Sequence, residues 1–151
     1  NLSSVNFYAN DCSYMGKDFS GAFENCPALT TVNIGENVKA IPSFAFVNCN
    51  ALKNLSMGNS IEVLGDYAFS CAGLTNLEIP NSVKNIGNYT FSYSTIEKIT
   101  LPQSVEKVGD YAFSGTQITE VFITSGITKM GEGVFSYCEN LTEIMKKVGQ
   151  L

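Results

Sequence analysis

The sequence predicts a repeat solenoid: a β-rich, right-handed coil with one parallel sheet and a single helical turn closing each coil. Three observations carry that prediction. A unit of about 22 residues recurs along the chain. Apolar residues fall at fixed offsets within it, and a glycine shortly before aromatic residues punctuates four of the copies at one place. The copies read LSSVNF from Leu2, LTTVNI from Leu29, LKNLSM from Leu52, LTNLEI from Leu74, IEKITL from Ile96, ITEVFI from Ile118 and LTEIMK from Leu141. Their starts lie 27, 23, 22, 22, 22 and 23 residues apart.

Counting the first apolar residue of each copy as zero, position +3 reads Val5, Val32, Leu55, Leu77, Ile99, Val121 and Ile144. Position +5 reads Phe7, Ile34, Met57, Ile79, Leu101 and Ile123. Two inward residues at period two make a short strand. Pro80 and Pro102 follow in a turn, where a missing amide is expected to be harmless. Positions +9 (Val38, Ile61, Val83, Val105, Ile127) and +12 (Ile41, Leu64, Ile86, Val108, Met130) make a second extended segment.

Gly65, Gly87, Gly109 or Gly131 then allows a tight corner, with Pro42 in the earlier copy. Asp66, Asn88, Asp110 or Glu132 is placed to cap one helical turn. That turn carries Phe44 and Phe46, Tyr67 and Phe69, Tyr89 and Phe91, or Tyr111 and Phe113, and Gly133 with Phe135 in the last full copy. The phenylalanine at +17, recurring back to Phe23, belongs in the core. Stacked at about 4.8 Å per coil, these copies make a column about 30 Å long.

The chain reads as a single domain over residues 1–151. Residues 1–28 form an atypical first repeat or N-terminal cap, 29–140 five regular repeats of 22–23 residues, and 141–151 a partial last repeat. The absence of a leading methionine and the open last repeat, where Lys146 takes the inward +5 place, suggest a piece of a longer parent. No apolar run approaches the roughly 20 residues of a membrane span, so no membrane insertion is expected of this segment.

Composition narrows the chemistry. The net charge is −5, from 14 carboxylates and nine lysines, with no arginine. The usual bidentate partner of phosphate and guanine is missing, and nucleic acid is not an expected ligand. Histidine is absent too, which removes the commonest general base and metal ligand near neutral pH. No nucleophile with its base can be assembled from the columns, so the chain is read as not an enzyme and as needing no cofactor.

Residues IPNSVKNIGNYTF at Ile79–Phe91 and LPQSVEKVGDYAF at Leu101–Phe113, with a cysteine three residues before several copies, resemble the BspA-type leucine-rich-repeat family. The resemblance covers Leu29 to Leu141. It implies a leucine-rich-repeat type, α/β horseshoe-like coil and a secreted or surface-attached protein, extracellular in location. Some members of such a family are adhesins, and it implies no fixed catalytic or ligand motif.

Several columns remain as candidates. Cys26, Cys49, Cys71 and Cys138 share the slot before the next copy, and the first three are expected to stack, leaving open a disulfide or a soft metal site beside plain buried thiols. Cys12 alone merits a test of reactivity. The Asp66, Asn88, Asp110, Glu132 column could cap the turns or gather calcium. Glycosylation triplets begin at Asn1, Asn54, Asn88 and Asn140.

The outward strand positions +2 and +4 form one face, grading from amide and hydroxyl to acidic and apolar. On it we expect a binding surface made of Asn54, Asn76, Glu78, Lys98, Thr100, Glu120 and Phe122, with Phe122 as an aromatic anchor. The expected function is a monomeric adhesion or protein-interaction module holding a protein or glycan of a host or neighbouring cell. The alternative is a spacer within a larger surface protein.

Overall fold

The computed structural model describes residues 2–9 and 21–147. Cys12, Asn1 and most of the insertion in the first copy lie outside them. Among the described residues eleven strands follow one another: β1 Ser4–Phe7, β2 Thr31–Ile34, β3 Ala40–Ile41, β4 Asn54–Ser56, β5 Val63–Leu64, β6 Asn85–Ile86, β7 Lys98–Leu101, β8 Lys107–Val108, β9 Glu120–Thr124, β10 Lys129–Met130 and β11 Glu143–Lys147. Every pair is parallel, and each links one coil to the next at equivalent positions, as Val5 to Val32 or Lys98 to Glu120. The result is a β-solenoid whose coil has three sides.

The first side is the expected strand face, but it comes in two pieces, ordered β1-β2-β4 and β11-β9-β7. Between them, coil 4 is held by one bridge, Asn76 to Lys98. Proline explains the lost rung. In coils 2 and 3 the residue after the strand is glycine, and Gly35 N–H donates to Phe7 O at 2.8 Å and Gly58 N–H to Ile34 O at 3.1 Å. Coil 4 has Pro80 there, with no amide to give. The position is a ladder donor rather than a neutral turn.

The second side corrects the expectation of one sheet. The +11 and +12 residues pair along the column in the order β10-β8-β6-β5-β3. Outward at +10, Lys39, Glu62, Lys84 and Glu106 alternate in sign, and Lys84 Nζ lies 2.8 Å from Glu62 Oε2. The hydrogen bond from Lys84, then its charge, holds the Glu62 carboxyl below its ordinary value.

The third side corrects the expected helical turn: none of the described residues is helical. Phe44, Tyr67, Tyr89 and Tyr111 have φ of 54 to 61°, and Asn48, Cys71, Tyr93 and Gly115, four residues on from each, have φ of 54 to 69°. A left-handed residue every four places cannot propagate a right-handed helix. The amides instead run forward to the next coil: Tyr67 N–H to Asn88 O, Phe69 N–H to Thr90 O and Cys71 N–H to Ser92 O, at 2.8–2.9 Å. On the strand side the bonds run backward, as Glu97 N–H to Thr75 O. Coils are thus tied on all sides.

The core is the column predicted. Phe46, Phe69, Phe91 and Phe113 are fully buried, and their rings stack from Phe23 to Phe135 at 5.3–5.7 Å. Leu29, Leu52, Leu74, Ile96 and Ile118 are fully buried in the same core. Met130 and Ile144, assigned inward, are 42% and 53% exposed because no described coil covers them.

Candidate functional site

The strand face gathers its outward residues into a groove rather than a flat strip. Around coils 4 and 5 the polar side chains of Asn76, Glu78, Lys98 and Thr100 line a depression of about 650 Å³, floored by Leu77, Ile79 and Ile99. Four of the seven expected residues therefore meet at one place. Thr100 also borders a second, more apolar depression of about 570 Å³ with Phe122, Met145 and Lys146. Phe122 is half-buried beside Met145, its register partner in β11. Asn54 is exposed two coils before Lys98, and Glu120 lies half-buried in β9; neither borders the groove.

Three lining residues were missed in the sequence: Asn81, Gln103 and Thr124. The first two belong to an amide column at +7, with Asn59, which a reading confined to the strand passes over. Thr124 Oγ1 is buried and has no hydrogen-bond partner in the chain. The groove follows from the interrupted ladder. Leu55 and Met57, inward residues beside coil 4, are only half-buried, and a further depression of about 390 Å³ opens between them and Ile79. Farther toward the N-terminus the amides are spent on one another, Asn33 Nδ2 donating to Asn6 Oδ1 at 2.9 Å. Amides and hydroxyls that both donate and accept, over an apolar floor, suit a peptide backbone or a hydroxylated ligand.

The other candidate columns resolve into structure. Each corner side chain accepts from the next coil: Asn88 N–H donates to Asp66 Oδ1 at 2.7 Å, Asp110 N–H to Asn88 Oδ1 and Glu132 N–H to Asp110 Oδ1 at 2.8 Å. They cap the coil above rather than a helical turn of their own. Asn88 is so engaged, whereas Asn54 and Asn140 are exposed.

The expected stack of three cysteines is also corrected. Cys71 sits in the left-handed slot of Asn48 and Tyr93, whereas Cys49 lies one place further along its coil, fully buried, with Sγ 3.0 Å from Phe23 O. The 23-residue copy from Leu29 carries its extra residue here. Burial pushes the Cys49 thiol up to about 11. All four described cysteines are free thiols. Among the described residues no group of three or more His, Cys, Asp or Glu could hold a metal ion.

Residues 19–142 match six copies of the BspA type leucine rich repeat region. The structure is similar to a leucine rich cell surface protein from Faecalibacterium prausnitzii, with 31% identity and a TM-score of 0.78 over 96% of this chain and 39% of that one. It is similar to a leucine-rich repeat protein from Bacteroides ovatus, with 26% identity and a TM-score of 0.72 over 94% and 39%. A leucine rich repeat protein of T. pallidum shares the fold at 20% identity, with a TM-score of 0.72 over 96% and 64%. The chain thus spans well under half the length of the first two. No match is found among curated proteins.

Proposed function

The chain belongs to the BspA-type leucine-rich repeat family, and from that premise we propose that it is a non-catalytic binding module displayed on a cell surface. Its partner is a protein segment or glycan of a host or neighbouring cell, held along the strand face. The observation that carries this reading is the continuity of the two depressions through Thr100, which joins an amide and hydroxyl groove to the Phe122 aromatic patch. A stacked scaffold presents such a surface already ordered, so little conformational entropy is lost on binding. Phe122 supplies the apolar contact at one end, and Asn76, Asn81, Gln103 and Thr124 supply polar contacts in the adjoining groove. The description of the Faecalibacterium protein as a cell surface protein supports the location.

The test is binding of this chain to immobilised matrix proteins and a glycan array, with Phe122→Ser and Asn76→Ala as matched variants. A saturable signal weakened about tenfold or more in Phe122→Ser is expected, the scale of losing one aromatic anchor. No signal from the unaltered chain would favour the alternative, a spacer within a longer surface protein.

A further inference from the structure

The charges of this protein are sorted around the coil, and the turn side has been left without a role. Residues 42–51, 65–73, 87–95, 109–117 and 131–140 contain no lysine, but they do contain Asp66, Asp110, Glu132 and Glu139. The last three are exposed. The described lysines lie on the other two sides, in or beside the strands. An anionic ligand would be repelled from the turn side and a cationic one drawn to it.

The same side carries five of the seven tyrosines. Tyr67, Tyr89 and Tyr111 stack at 4.8 and 5.1 Å, so two coils span roughly 10 Å. In the column beside them Tyr93 and Tyr137 are 61% and 74% exposed, two coils apart, with Gly115 between. The Tyr93 ring lies in the space that a side chain at 115 would fill, since a Cβ there would come within 2.5 Å of its Cδ1. Both tyrosines hold a left-handed φ, 54 and 57°, that glycine adopts without penalty and takes at Gly115. The backbone at both places is one that glycine fits, as it does at 115. In the neighbouring column the Tyr111 phenol is held above its ordinary value, first by Glu132, then by burial and by Tyr89, Tyr137 and Asp110.

We propose that the turn side is a second docking surface, whose occupant is an extended basic segment of a partner protein. Its arginine or lysine heads lie over the exposed faces of Tyr93 and Tyr137, and Asp110, Glu132 and Glu139 balance their charge. Electron-rich ring faces attract such cations, arginine above all. The surface is independent of the strand face, so one chain can hold two partners at once.

The test is fluorescence anisotropy of a labelled peptide of alternating arginine and serine, titrated with the chain at low and at physiological salt. Saturable binding is expected, about tenfold weaker in a Tyr93→Gly, Tyr137→Gly double variant and unchanged in Phe122→Ser. Thermal melting of the double variant should be no lower than that of the unaltered chain, because glycine fits both backbone positions. Three results would overturn the proposal: no binding, equal binding by the double variant, which would reduce the effect to diffuse charge attraction, or stronger binding of a neutral β-linked hexasaccharide than of the peptide. None of them bears on the strand-face groove, which Phe122→Ser reports separately.

Discussion

At the scale of single residues, two kinds of position decide whether coils can stack, and they are easily confused. The corner glycines carry no positive φ. They are glycines because the neighbouring coil comes too close, so that a Cβ on Gly87 would meet Asp66 Oδ1 and lie 2.8 Å from Asp66 N. Gly87→Ala must therefore push coil 3 from coil 4 and strain the Asp66 to Asn88 bond; a loss of about 1–3 kcal/mol in urea unfolding is expected. The left-handed places at Phe44, Tyr67, Tyr89 and Tyr111 are filled by aromatic residues, and there the ring ladder offsets the backbone cost. Cys49 offers a pH test. Its folded value of about 11 lies above the ordinary 9.0, because burial disfavours the thiolate. Its contribution to stability is complete below about pH 9 and is lost as pH rises toward 11. Melting temperature should fall across that window in the unaltered chain and fall less in Cys49→Ala.

At the scale of elements, the interrupted ladder at coil 4 links sequence to site most directly. Strands β1, β2 and β4 are zipped by an amide after each strand; Pro80 and Pro102 remove it from the next two coils, and the groove lies there. Pro80→Gly restores a donor toward the carbonyl of residue 57. Hydrogen exchange should then find the amide of residue 80 protected to the level of Gly58, and any ligand of the groove should bind more weakly. A freely exchanging amide at 80 would show that proline is not what parts the coils. The second sheet has only two-residue strands, yet its ladder is unbroken: Gly65 N–H donates to Ile41 O, Gly87 N–H to Leu64 O, Gly109 N–H to Ile86 O and Gly131 N–H to Val108 O, each at 2.8 Å. Ile41, Leu64, Ile86 and Val108 back it, all buried in the column.

At the scale of the whole molecule, coils touch their neighbours through two continuous ladders, a strand ladder interrupted at coil 4, and aromatic stacks, so stability accumulates coil by coil. Removing residues 74–95, one whole copy of 22, joins Gly73 to Ile96 and puts Phe69 against Phe113 without changing any register. The shortened chain should unfold in one cooperative transition at a lower denaturant midpoint. A non-cooperative melt would mean that coil 4 has a role in the column beyond its own contacts.

The sequence by itself determined the repeat, its phase, the inward residues and the phenylalanine stack, because burial imposes the same periodicity on every copy. The family was legible for the same reason. Only the tertiary structure decided what depends on neighbouring coils. Hydrogen bonding between coils turned the expected helical turn into a left-handed ladder and made the corner side chains caps of the next coil. One inserted residue moved Cys71 out of line with Cys49. The groove arose from a missing amide, and the residues at +7 joined it because they lie near it in space rather than in the strand. Side-chain periodicity is written in a single copy, whereas contacts between copies depend on the offset of one coil against the next.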